Sequence, residues 1–105
     1  MKRYIRASEK GLDKSEYNNL LHTVRDFYNG GANTEVSSKD GVWSIYETWG
    51  EPFAELTYNG EPACAIHLIG DNFTIEPFNG YENIAQSLVK IWQQVWGNAS
   101  TVSLA

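Results

Sequence analysis

Ala63-Cys64-Ala65-Ile66-His67-Leu68-Ile69-Gly70-Asp71-Asn72-Phe73-Thr74-Ile75-Glu76-Pro77 decides the fold. Two β-rich runs flank Gly70-Asp71, a pair suited to a type II′ turn with Gly first. A two-residue loop places Leu68 opposite Phe73, Ile66 opposite Ile75 and Cys64 opposite Pro77. The other face then carries His67 opposite Thr74 and Ala65 opposite Glu76. Side chains alternate along a strand, so the hairpin has one apolar face for a core and one polar face.

Upstream, Phe53–Tyr58 and Ala63–Ile69 flank Asn59-Gly60, another hairpin signal. A strict two-residue loop there pairs Glu55 with Cys64 and puts a carboxylate on the apolar face. A three-residue loop pairs Leu56 with Cys64 and Ala54 with Ile66, which predicts a bulge or longer loop near Asn59–Pro62. Lys39-Asp40-Gly41 reads as a tight turn between Glu35–Ser38 and Val42–Thr48, and Trp49-Gly50-Glu51-Pro52 breaks the chain again.

Helical periodicity frames these runs. Asp13 and Glu16 have capping-box spacing, with Leu12 and Tyr17 placed as a hydrophobic staple. Tyr17, Leu20, Leu21, Val24, Phe27 and Tyr28 follow as a stripe, which Asn29-Gly30-Gly31 ends by tolerating positive φ. A second stripe runs Tyr81, Ile84, Ala85, Leu88, Ile91, Trp92 and Val95. Asn79 or Gly80 is its expected N-cap and Gly97-Asn98 its stop. Trp96 lies at the border of this stripe, where it covers the sheet end or meets a partner.

The expected fold is α+β: a helix, an antiparallel sheet of four or five strands, and a second helix, with both helices on one face. Leu20, Leu21, Val24, Ile66, Leu68, Ile75, Ile84, Leu88 and Ile91 are the expected core. The 105 residues suffice for one domain. Residues 1–11 read as a basic arm or edge strand and 99–105 as a flexible tail.

Cys64 is the single cysteine, so no internal disulfide forms and a cytoplasmic location is expected. No apolar run suits a membrane span, and no long apolar stretch follows the basic start as a signal peptide requires. Cys64 and His67 point to opposite faces of one strand and make no nucleophile–base pair. Cys64 reads as a small buried residue and His22 as a helix-flank residue. Two His and one Cys without close spacing make no zinc set. Neither a phosphate loop nor a nucleophile elbow is present. Glu47, Glu55 and Glu76 allow a glycosidase-like carboxylate pair, but a solvated strand face explains them as well. No catalytic residue, cofactor or metal is expected.

Charge is unevenly placed within the net −5. Lys2, Arg3, Arg6, Lys10 and Lys14 make the start basic. Asp40, Glu47, Glu51, Glu55, Glu61, Asp71, Glu76 and Glu82 then follow with no Lys or Arg among them. One reading is an acidic surface that keeps the protein soluble. The sharper one is a binding face that repels nucleic acid and attracts a basic protein groove. Trp43, Trp49, Phe53 and Phe78 read as exposed or half-exposed aromatics that supply anchors, with some of them left outside the core. Partner contact is assigned to Asp40, Glu47, Trp49, Glu51, Phe53, Glu55, Glu61, Asp71 and Glu76, with Glu47, Glu55 and Glu76 on the face away from the helices. The element order resembles that of double-stranded-RNA-binding domains. Those grip phosphate with basic residues, whereas the second helix here carries only Lys90 after Glu82, so direct nucleic-acid binding is not expected.

Met1-Lys2-Arg3-Tyr4-Ile5-Arg6-Ala7-Ser8 resembles the start of short accessory proteins of phages and mobile elements of Gram-positive bacteria. Size, acidity and helix–sheet–helix order resemble small anti-CRISPR and anti-restriction proteins, several of which imitate DNA. The resemblance implies a non-enzymatic inhibitor of a basic nucleic-acid-processing protein, such as a nuclease. It aligns no motif and transfers no site residue. An immunity or toxin-neutralising protein is the alternative, and a small carboxylate-based hydrolase the third.

Overall fold

The computed structural model describes residues 12–30, 41–48, 50–97 and 100–105, together with the backbone of 33–38. The element order is α1 (Lys14–Asn29), β1 (Asn33–Ser38), β2 (Gly41–Glu47), β3 (Ala54–Tyr58), β4 (Glu61–Ile69), β5 (Asn72–Pro77), α2 (Glu82–Trp96) and β6 (Thr101–Leu104). The class is α+β.

Local chemistry sets the helix ends. Asp13 accepts from the Glu16 N–H at 2.8 Å, and Glu16 accepts back from the Asp13 N–H at 3.4 Å, completing the expected capping box. At the other end, Gly30 is the C-cap with φ of 164°, and Gly31, the second glycine of the expected stop, lies outside the described residues. Tyr81, not Asn79 or Gly80, caps α2, and it does so without a side-chain bond. Its ring is buried, so α2 begins where the chain is anchored in the core.

Six strands form one sheet in the order β1-β2-β3-β4-β5-β6. The first five are mutually antiparallel, and β6 lies parallel to β5. The sheet is therefore mixed, not antiparallel throughout, and the expected tail is largely its sixth strand. The reason is topological: α2 carries the chain back along the sheet, so the next strand runs in the direction of β5. Thr101 N–H donates to Asp71 C=O at 3.0 Å and Ala105 N–H to Ile75 C=O at 2.9 Å.

The β4–β5 register is the one expected: Leu68 faces Phe73, Ile66 faces Ile75 and Cys64 faces Pro77. Gly70 has φ of +61°. In the β3–β4 hairpin, Asn59 and Gly60 have φ of 54° and 81°, as a tight two-residue type I′ turn requires. Thr57 pairs with Pro62 but Leu56 with Cys64, leaving Ala63 as the extra residue. The bulge thus follows the turn instead of lengthening it, and it brings Ala54 opposite Ile66.

Both helices cover one face. Leu20, Val24 and Phe27 of α1 and Ile84, Ala85, Leu88, Ile91 and Trp92 of α2 join Trp43, Ile45, Ala54, Leu56, Cys64, Ile66, Phe73 and Ile75 in one buried cluster. Leu21 and Leu68, expected in the core, are only partly buried at its margin. Trp43 is fully buried, with its ring 4.5 Å from that of Tyr58, which corrects the expectation that it is exposed or half-exposed. It shares the inward alternation of β2 with Ile45.

Candidate protein interface

The face turned away from the helices is built from the alternate residues of the same strands. Tyr46 of β2 pairs with Glu55 of β3, Glu55 with Ala65 of β4, and Ala65 with Glu76 of β5. This makes one row across four strands, with two carboxylates in it. Adjacent strands lie about 4.8 Å apart, which puts the Glu55 and Glu76 backbones about 10 Å apart. The neighbouring row holds His67, Thr74 of β5 and Ser103 of β6.

Side-chain bonds order this surface. The Tyr46 hydroxyl donates to Glu55 Oε1. That bond, with partial burial and the Glu55 charge, pushes the Tyr46 pKa up to about 12, so the phenol stays a neutral donor. His67 lies between two carboxylates: Nδ1 is 3.0 Å from Glu51 Oε1 and Nε2 is 3.0 Å from Glu76 Oε1. Its pKa is raised, first by the bond to Glu51 and then by the bond to Glu76, against a smaller opposing effect of burial. Glu51 reaches this face from the β2–β3 connection, where Thr48 Oγ1 donates to the Pro52 C=O.

The acidic residues do not converge on one surface. Glu55 and Glu76 stand in the outer row with Glu51 beside it, and exposed Asp71 lies beyond them at the β4–β5 turn. Exposed Glu61 sits at the opposite end of the sheet, beside Asn59-Gly60. An open groove of about 190 Å³ there is lined by Tyr58, Asn59, Glu61 and Tyr81. Glu47 is a correction. It pairs with Ala54 and shares the alternation of Trp43 and Ile45, so it belongs to the helix side of the sheet.

Phe53 is a second correction. Its ring meets Phe27 at 6.2 Å, Phe73 at 5.7 Å and Trp96 at 6.2 Å, all on the helix side. Trp96 in turn stacks on Trp92, with centroids 5.2 Å apart and planes within 3°. These rings close the end of the core, which engages Phe53 away from the outer face. Phe78 is 37% exposed just beyond β5. Asp40 and Trp49 lie outside the described residues.

Sequence reasoning missed Tyr46 and the two contacts of His67. Tyr46 was legible as the residue between Ile45 and Glu47 on an alternating strand. The Glu51–His67 contact had no sequence signal, because the path of the β2–β3 connection sets it.

Cys64 is buried on the inner face, and burial pushes its thiol pKa up to about 12. It has neither the thiolate character nor the access that a nucleophile needs. Among the described residues, no group of three or more His, Cys, Asp or Glu side chains is placed to hold a metal ion, and no helix is long and apolar enough to cross a membrane. No protein family, curated protein or solved structure matches the chain.

Proposed function

We propose that the protein is a non-enzymatic inhibitor that docks its outer sheet face on the basic groove of a nucleic-acid-processing protein such as a nuclease. The observation that carries this reading is the row Tyr46–Glu55–Ala65–Glu76, with Glu51 beside it, in a segment without Lys or Arg. Carboxylates held on a sheet repel nucleic acid and steer a cationic groove toward them. Rim charges add little affinity, so an amphipathic side chain has to contribute contact area. Tyr46 stands in the acidic row and takes the role first assigned to Phe53.

The test uses the charge-reversed variant Glu51→Lys/Glu55→Lys/Glu76→Lys, with Glu47→Lys as the control on the other side of the sheet. A partner recovered from host extract is purified, and association rates are measured across a salt series. The triple variant should associate more slowly, most of all at low salt, while Glu47→Lys keeps the wild-type rate. DNA should compete for the partner. Equal rates for the folded triple variant and wild type at low salt would leave the acidity as a solubility feature.

A further inference from the structure

Between Asp40 and Glu82, His67 is the one side chain able to carry positive charge near neutral pH. It sits where it cancels the charge that the interface reading depends on. Both ring nitrogens are 3.0 Å from a carboxylate oxygen, Nδ1 from Glu51 and Nε2 from Glu76. A neutral imidazole has one N–H and one lone pair, so it donates to one carboxylate and turns its lone pair on the other. Only the imidazolium satisfies both contacts. The two carboxylates come from different parts of the chain, Glu51 from the β2–β3 connection and Glu76 from β5, and His67 joins them.

Among the described residues, the other titratable groups on this face are placed as follows. Glu55 of β3 is engaged by the Tyr46 hydroxyl of β2. On β5 and β6 the row of His67 continues into Thr74 and Ser103, which carry no charge. Glu61 of β4 lies at the far end of that strand. The charge of the Glu51–His67–Glu76 group therefore turns on His67.

Resting on the interface reading above, we propose that His67 gates the acidic face: its imidazolium occupies Glu51 and Glu76, and loss of a ring proton frees them for the guanidinium or ammonium groups of a basic protein partner. The group's net charge goes from −1 to −2 on deprotonation. Partner binding accordingly strengthens as pH rises through the folded-state pKa of His67. The internal clamp behaves oppositely. It is complete below the ordinary histidine value of 6.5 and is lost as pH rises through the raised one.

The experiment has two arms. The first needs no partner: the His67 ring is titrated by NMR in wild type, Glu51→Gln and Glu76→Gln. The His67 midpoint should lie above 6.5 and fall in each variant. A midpoint at or below 6.5 that neither variant moves overturns the clamp. In the second arm a tetra-arginine peptide is titrated onto wild type and His67→Gln at about 0.01 M ionic strength, where charges act over roughly 30 Å. Wild-type affinity should rise about 1.4- to fivefold across the His67 titration, the effect of one exposed charge contact. His67→Gln should bind with no such rise. A pH-independent wild type overturns the gate and leaves the acidic interface standing. Absence of peptide binding at every pH, with His67 titrating as expected, overturns the interface reading and the gate with it.

Discussion

Replacing Ile66 with Ala tests the core, the register and the facing of the central strand together. Ile66 is fully buried on β4, between Ala54 of β3 and Ile75 of β5. The substitution removes three carbon groups, about 2.4 kcal/mol of transfer free energy at ~0.8 kcal/mol each. A cavity contribution adds to this when the surroundings cannot close in. Here they are held on both sides: β3 and β5 are hydrogen-bonded to β4, and the helices above are tied to the same cluster. The loss should therefore fall in the upper part of the ~2–5 kcal/mol range for such truncations. Domains of this size have roughly 5–15 kcal/mol in all, so the variant should be markedly unstable but still measurable. Equilibrium urea unfolding is the assay. The midpoint should drop with the slope unchanged, which assigns the change to stability and not to a different unfolded state. Leu68→Ala, at a half-buried position on the same face, should cost clearly less. A loss below ~0.5 kcal/mol for Ile66→Ala would refute the packing described above.

Other perturbations probe the turn, the last strand, the thiol and the histidine. Gly70→Val should cost ~1–3 kcal/mol through backbone strain alone, because φ is +61° and a Cβ there meets no atom within 4 Å; an unchanged unfolding midpoint would rule out the left-handed turn. Deleting Thr101–Ala105 should lower the melting temperature, since β6 bonds to β5 and Val102 packs against the core. A loose tail would leave it unchanged. Cys64 should resist thiol reagents at pH 8 in the folded protein and react on denaturation, because burial holds it as a thiol. The stability difference between wild type and His67→Gln should be largest below pH 6.5 and shrink as pH rises past it, as follows from a folded-state pKa above the unfolded one. Denaturant midpoints of both proteins at several pH values check this, and a difference that grows with pH contradicts the clamp.

Where the sequence reading succeeded, the information was local. The β4–β5 register follows from a two-residue turn and alternation over six residues on each side. The α1 cap follows from two side chains three residues apart. The β3–β4 bulge was signalled by the conflict between a good turn pair and a carboxylate on the apolar face, and the structure resolves that conflict at Ala63. The errors at the site have a common source. Trp43 and Phe53 read from sequence as anchors, yet the core needs large rings to fill the space between the helices and the sheet. With Trp43 facing inward, alternation turns Glu47 to the same side.

The two amphipathic helices, the paired hairpins and the acidity of the segment from Asp40 to Glu82 are readable from the chain alone. Each of these depends on residues near one another in the chain, through hydrogen-bonded turns, caps and periodicity. Packing sets what brings distant residues together. It added β6 beside β5, because α2 returns the chain to the sheet edge. It gathered Phe27, Phe53, Phe73, Trp92 and Trp96 at the end of the core. It also set His67 between Glu51 and Glu76, which lie 16 and 9 residues away in sequence. These arrangements depend on how the connections between elements run, and that course is settled by packing and loop closure, to which periodicity and residue type are blind.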